Sequence, residues 1–216
     1  MKKLTTIISF FSIPLFLICC GPTITVIDAW KAPDIMDSKT DHFVVMARVD
    51  DMASRQRFEQ EIVKQLLAGG VDAVESYKKY PEINLNEQLT PNQIESLEAG
   101  FRKEGINGIV LTVIKDMKTE LKTTNTGGYG GGYYPYFGGY YGSYYSPYGH
   151  GGSYMSASSR TYESEIYKLE TVIFDLDRKG DQMIAVISVN ITNPKSASEV
   201  APKYAEKLAK QFDQKK

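Results

Sequence analysis

The positions of apolar residues predict a chain in which strands and helices alternate. A nearly continuous apolar run over 43–49 is typical of a strand buried on both faces. Apolar side chains at four-residue steps over 57–68 predict an amphipathic helix, which the pair Gly69-Gly70 ends. Residues 71–77 then alternate between apolar and polar side chains, so a second strand is expected there.

The next helix begins with a clear local signal. Thr90 is placed to cap it, Pro91 suits its first position, and Gln93 completes a capping box. This helix is expected to end at Gly105. The apolar residues 109–114 that follow predict a third strand.

The last part of the chain predicts a hairpin and a helix. Strands are expected at 167–176 and 183–191, joined by a tight turn at 177–181 that contains a glycine. A final helix is expected from about Ser198. Its start is uncertain because Pro202 is unfavourable in a helix interior.

Together these elements predict one mixed α/β domain, of the α+β class, over 42–216. Their order is β-α-β-α-β, then a Gly/Tyr-rich loop, then β-β-α. The alternation in the first half predicts parallel strands with right-handed crossovers, and the hairpin predicts antiparallel pairing. The mixed sheet is expected in a two-layer or a three-layer arrangement.

The first twenty residues have the character of a targeting segment. A short positive start precedes the mostly apolar stretch 4–18, and the only two cysteines of the chain follow it. The ending resembles the bacterial lipobox, with Leu17 three positions before Cys20 and the small Cys19 just before it. We therefore expect a lipoprotein signal peptide over 1–19 and lipidation of Cys20. An ordinary secretory signal, cleaved further on, is the alternative.

Lipidation implies a membrane anchor and a location. Each buried methylene contributes about 0.8 kcal/mol, so several acyl chains, palmitate among them, give a lasting hold. By analogy with lipoprotein sorting, Gly21 in place of an aspartate favours the outer membrane. No acidic run follows Cys20 to suggest surface export, so the periplasmic face is expected.

The segment over 20–41 is expected to be a lipidated tether. Residues 23–27 are all β-branched, which favours a short strand within this segment. Trp30, the only tryptophan, is expected to close the edge of the core, with ligand binding as the alternative.

A Gly/Tyr-rich insertion over 123–160 separates the third and fourth predicted strands and is expected to be disordered. Residues 127–154 include eleven glycines and ten tyrosines and no Asp, Glu, Lys or Arg. Lengthening a loop to nearly forty residues costs only about 2 kcal/mol in closure entropy, so the domain tolerates it. Tyrosine offers contact area at low entropic cost, which favours a binding role.

The binding residues expected on this reading are eight tyrosines: Tyr133, Tyr134, Tyr136, Tyr140, Tyr141, Tyr144, Tyr145 and Tyr148. Their partner is expected to be an envelope protein or a cell-wall or surface glycan. The alternative is a flexible spacer in a structural lipoprotein that associates with copies of itself, a homo-oligomer.

Motifs of catalysis and cofactor binding are absent from the sequence. There is no P-loop, serine elbow or H-E-x-x-H, and the two histidines, His42 and His150, lie too far apart to indicate a metal site. The net charge of −1 and a tract without lysine or arginine argue against nucleic acid. We expect no enzyme activity, no metal and no cofactor beyond the covalent lipid.

The element order behind a lipidated cysteine resembles a small domain shared by the amino-terminal part of TolB and the outer-membrane lipoprotein activators of penicillin-binding proteins. A group of uncharacterised bacterial lipoproteins is similar in short motifs, over roughly 41–212. These are Phe43-Val44-Val45-Met46-Ala47, Arg57-Phe58-Glu59, Leu169-Glu170-Thr171 and the Tyr/Gly insertion. The resemblance implies an interaction module of the bacterial envelope.

Overall fold

The computed structural model describes residues 21–35, 42–49, 51–121 and 163–213. These residues form six strands and four helices around one sheet. The strands are β1 Thr23–Lys31, β2 His42–Arg48, β3 Asp72–Glu75, β4 Gly108–Leu121, β5 Glu163–Asp175 and β6 Met183–Thr192. The helices are α1 Met52–Ala68, α2 Ser76–Lys79, α3 Pro91–Lys103 and α4 Ala197–Asp213.

The sheet is mixed, as expected, with the order β1-β6-β5-β4-β2-β3. β2 pairs in parallel with β3 and β4, and all other pairs are antiparallel. The prediction of a mixed α/β domain of the α+β class is confirmed.

Both faces of the sheet are covered by helices, which gives three layers. Alternate residues of β2 point to opposite faces, so Val45 packs with α1 and α4 while Val44 packs with α3. Residues 80–89 complete the cover beside α3. The continuous apolar pattern of β2 follows from this burial on both sides.

The predicted capping box of α3 is present. The Gln93 backbone N–H donates to the Thr90 hydroxyl at 3.4 Å, and the Gln93 side-chain oxygen accepts from the Thr90 N–H at 2.8 Å. Gly105 has φ +77°, and the Ile106 N–H donates to the Phe101 carbonyl at 2.9 Å. The chain therefore turns sharply out of α3 into β4.

Helix α1 begins five residues before the predicted start. Asp51 is its N-cap and accepts from the Ser54 N–H at 2.9 Å. The apolar residues of the first turn, Met52 and Ala53, are exposed, so they do not continue the apolar stripe that faces the core. The expected end at Gly69 is confirmed, since Gly69 is the C-cap.

Helix α4 contains Pro202 in its interior, a position that is unfavourable for proline and that left the start of the helix open in the sequence. It begins at Ala197, one residue before the predicted start, and continues through Pro202 to Asp213. Pro202 is the sixth residue of the helix, so its ring removes the hydrogen bond that an N–H at this position would donate to the Ser198 carbonyl. The packing of the following turns, including the fully buried Tyr204, maintains the helix.

The expectation of a tether with only a short strand needs correction. β1 is nine residues long and pairs with β6 from Thr23↔Thr192 to Lys31↔Ala185. Residues 23–31 are thus part of the sheet. Trp30 is 42% exposed, so it does not close the edge of the core.

Candidate interaction surface

The predicted lipidation and binding residues lie outside the described part of the chain. This holds for Cys20 and for all eight tyrosines of the insertion, so their roles stay predictions. The described residues closest to them in sequence are Gly21, after Cys20, and Leu121 and Glu163, on either side of the insertion.

Strand β1 forms one edge of the sheet. Among the described residues it has a strand neighbour on one side only, namely β6. The register shifts between Val26 and Asp28, so Ile27 lies in a β-bulge. An edge strand offers backbone N–H and C=O groups that can pair with another extended chain.

Two large apolar side chains are exposed on this edge strand. Ile27 is 50% exposed and Trp30 is 42% exposed. Trp30 is the cross-strand partner of Val186, which is itself only partly buried against the α3 side of the core. We define the β1 edge as Ile27, Trp30 and the outer backbone of β1.

The carboxyl-terminal part of β1 is fixed to its surroundings. The Lys31 ammonium donates to the Gln211 carbonyl of α4. Beyond the strand, the Arg178 guanidinium lies 2.7 Å from the Asp34 carboxylate, and this hydrogen bond holds the pKa of Asp34 below its usual value. The end of β1 and the residues that follow it are therefore connected to α4 and to the turn between β5 and β6.

The most buried charged group of the described chain serves the fold. Glu59 of α1 accepts from the Ala47 N–H at 3.1 Å, from Arg55 at 2.9 Å, from the Ser76 hydroxyl at 2.8 Å and from the Tyr77 N–H at 2.9 Å. Four donors occupy its two oxygens. Glu59 thus connects α1 with β2 and α2 and is not available as a general base.

A cleft of about 220 Å³ lies beside this network, at the carboxyl end of β2. Typical ligand pockets are larger, from roughly 300 Å³ upward. Its only cation, Arg55, is already bound to Glu59, to the Ile83 carbonyl at 2.9 Å and to Ser76 at 2.8 Å. Its lining includes Ala47, Val49, Asp51, Met52, Arg55, Glu82, Asn84 and Asn86. We do not infer a ligand site there.

A row of buried hydroxyl groups crosses from the sheet to α4. The oxygens of Thr112 and Thr171 lie 2.7 Å apart, and those of Thr171 and Tyr204 lie 2.6 Å apart. Burial raises the pKa of Tyr204 to about 12, against the hydrogen bonds from the threonines, which lower it. The phenol is neutral at physiological pH and acts here as a packing and hydrogen-bonding group.

His42, the side chain most suited to proton transfer, pairs with Asp72. The His42 Nδ1 and an Asp72 carboxylate oxygen lie 2.7 Å apart, and Asp72 is mostly exposed. The two residues are partners across β2 and β3. In the ranges that the structure describes, no cluster of three or more metal-ligating side chains occurs.

The β1 edge is not visible in the sequence pattern, which predicts Ile27 at the end of a short strand and Trp30 closing the edge of the core. The spacing of polar residues around Ile27 carries a signal. Thr23 and Thr25 are two positions apart, so the next polar residue is expected at 27, but it is Asp28. Such a shift is typical of a β-bulge.

No helix in the described ranges is both long enough and apolar enough to cross a bilayer.

Comparisons with known proteins give no family. No family model matches the chain, and no curated protein matches it. A solved PelC dodecamer from Paraburkholderia phytofirmans is similar at a TM-score of 0.45 and 9% identity, over 90% of this chain and 99% of that chain. A single-substitution variant of that dodecamer, from the same organism, is similar at a TM-score of 0.41 and 10% identity, over 87% of this chain and 96% of that chain. At these scores the likeness carries no functional conclusion.

Proposed function

We propose that this chain is a lipid-anchored, non-catalytic interaction module of the bacterial outer membrane, on its periplasmic face, which docks a protein partner at the β1 edge. The anchor in this proposal is Cys20. The relation to uncharacterised lipoproteins and to the TolB-like domain remains part of the proposal.

The exposure of Ile27 and Trp30 on an edge strand is the observation that carries this proposal. Tryptophan is among the residues most enriched at the energetic centres of protein interfaces. An unpaired strand edge supplies main-chain hydrogen bonds to an extended segment, while neighbouring apolar side chains supply selectivity.

A protein partner fits the β1 edge better than a glycan does. A sugar ring needs an aromatic face with several hydrogen-bonding side chains around it. Between Ile27 and Trp30 only Asp28 carries an exposed polar side chain, whereas the outer backbone of β1 supplies a row of donors and acceptors. Backbone pairing is specific to another polypeptide. The tyrosines predicted to bind in the insertion supply further contacts in this proposal.

A second copy of this chain is the alternative partner, because exposed strand edges of two identical chains also pair with each other. In that case the protein is a structural envelope lipoprotein, and the Gly/Tyr insertion is a spacer.

The test places a photo-crosslinking residue at position 27 in cells and compares three backgrounds. We expect one envelope protein to be captured in the wild-type background, and the same capture to fall at least tenfold with Trp30→Ser. Leu67→Ser is the matched control, since Leu67 is an equally exposed apolar residue on α1 at 52%. It should leave the capture unchanged.

Three outcomes contradict a protein partner at the β1 edge. The first is a capture that Trp30→Ser and Leu67→Ser affect equally. The second is a crosslink only to a second copy of the chain, accompanied by concentration-dependent oligomers in light scattering. The third is a crosslink only to glycan.

A further inference from the structure

We infer that one end of the sheet faces the bilayer directly. The folded domain then contacts the lipid headgroups and is not separated from them by a long tether. This inference rests on the proposed anchor at Cys20. We define the anchor end as residues 21–23, 118–121, 163–166 and 192–196. The hairpin end is the opposite one, defined as residues 32–34, 107 and 175–182.

The chain is held to the body immediately after the proposed anchor. Pro22 is buried, and a Cβ placed on Gly21 would lie 2.9 Å from the Glu199 carboxylate and 3.0 Å from the Lys203 ammonium. Sheet pairing begins at Thr23. Only two residues separate Cys20 from Thr23, where the sheet begins, and the span from Cys20 to Thr23 is at most about 10 Å.

Strand pairing identifies what else lies at this end. Thr23 pairs with Thr192, Thr192 with Ile166, and Ile166 with Lys118. These four residues form one row across β1, β6, β5 and β4. The start of β1 therefore lies at the same end as the start of α4 and the point where the chain leaves β4.

Strands β4 and β5 continue past this row. They remain paired as far as Leu121↔Glu163, three residues beyond Lys118, which is about 10 Å at strand spacing. This projection is about as long as the greatest distance that residue 20 can lie from Thr23. An acyl chain at residue 20 would therefore bring the ends of β4 and β5 to the headgroup layer.

The turn between β6 and α4 is hydrogen-bonded to β5 at the anchor end. Asn193 has φ +52°, its N–H donates to the Glu165 carbonyl at 2.7 Å, and its side-chain oxygen accepts from the Glu165 N–H at 3.0 Å. These two hydrogen bonds connect the start of β5 with the end of β6 at the anchor end.

Charge does not produce this orientation. The anchor end carries two lysines, Lys118 and Lys195, against three glutamates, Glu120, Glu163 and Glu165. A surface without net positive charge gives little attraction to an anionic membrane. The short connection sets the orientation, so it should persist at high salt.

The experiment uses the full lipidated protein in vesicles whose headgroups carry a spin-label quencher. A fluorophore is attached to Lys195→Cys at the anchor end or, as the matched control, to Lys179→Cys at the hairpin end. Both lysines are exposed, and each lies in a connection between two elements. Strand β6, ten residues long, separates the two ends by about 30 Å.

We expect at least fivefold stronger quenching at position 195 than at position 179, unchanged in 1 M salt. Insertion of ten Gly/Ser residues between Cys20 and Gly21 gives a tether of roughly 17 Å r.m.s. length. It should reduce the quenching at position 195 severalfold while the protein still floats with vesicles.

Flotation with vesicles distinguishes a wrong anchor from a wrong orientation. If the wild-type protein does not float with vesicles, the proposed anchor is wrong. If it floats but the two positions are quenched equally, or the inserted tether changes nothing, the anchor stands and the inferred orientation is overturned.

Discussion

Glu59 shows how a buried charge organises this fold at the scale of a single residue. Its side chain is fully buried, beside Arg55, which is 5% exposed as a residue. Removing two charges from water is unfavourable unless hydrogen bonds satisfy both groups, and here they do. The pair fixes α1 on the carboxyl end of β2 and at the start of α2.

Glu59→Gln tests that role. The amide removes the negative charge and leaves the buried Arg55 guanidinium without its counter-ion, so we expect a loss of about 3–5 kcal/mol in the free energy of unfolding. Urea denaturation measures it. Glu206→Gln, in an exposed pair on α4, is the control and should behave like the wild type. A Glu59→Gln protein as stable as that control would show that the network does not hold the fold.

Tyr204 gives the fold a pH dependence in alkali. Its folded-state pKa of about 12 lies above the ordinary value of 10.0. The unfolded chain therefore loses this proton first. The stability contributed by the neutral phenol is present below pH 10 and is lost as the pH rises toward 12.

Tyr204→Phe should separate two effects in melting temperatures measured from pH 7 to 11. At pH 7 the variant should be less stable by about 1 kcal/mol, because the hydrogen bond to Thr171 is lost. Above pH 10 its stability should fall less steeply than that of the wild type. Parallel curves would contradict the assignment of alkaline unfolding to this residue.

At the scale of elements, one glycine in β4 leaves the room that an aromatic ring of β2 occupies. A Cβ at Gly108 would lie 2.2 Å from the Phe43 ring, far inside any allowed contact. Phe43 is buried and pairs directly with Gly108 across the two strands. The ring thus occupies the space that a side chain on β4 would need.

Gly108→Ala should lower the free energy of unfolding by about 1–3 kcal/mol, because the ring has to leave its packed position. The control is Gly100→Ala in α3, where a Cβ meets nothing within 4 Å. Alanine favours the helix there by up to about 1 kcal/mol, so this variant should be more stable than the wild type. Equal effects of the two substitutions in urea denaturation would contradict the packing argument.

Most elements followed from local pattern. The capping box at Thr90, the glycine ends of α1 and α3, and the hairpin turn with Gly180 at φ +105° all depend on neighbours in sequence. The missed parts depend on distant contacts. β1 extends to Lys31 because β6 pairs with it, and α4 continues through Pro202 because its later turns pack on α1 and the sheet.

The candidate site was harder to predict than the fold. An exposed tryptophan and a core tryptophan look the same in sequence, and only the edge position of β1 distinguishes them. Likewise Glu59 lies within a helix that reads as amphipathic, and its burial arises from donors on β2 and α2.

On the scale of the whole molecule, the proposed anchor and the proposed docking edge belong to one strand. β1 begins beside residue 20 and runs toward the hairpin end, so Trp30 lies seven residues, roughly 20 Å, from the start of the strand. With the anchor end on the bilayer, the β1 edge would stand clear of the headgroups and be open to a partner.

The anchor at Cys20 is the claim on which this account depends most, and the adjacent cysteine offers a matched control. Cys20→Ala and Cys19→Ala are compared for incorporation of radiolabelled palmitate and for recovery in the membrane fraction. We expect Cys20→Ala to abolish the label and release the protein, and Cys19→Ala, which keeps a small residue before the acceptor, to retain both. Unchanged labelling and membrane recovery of Cys20→Ala would contradict the account.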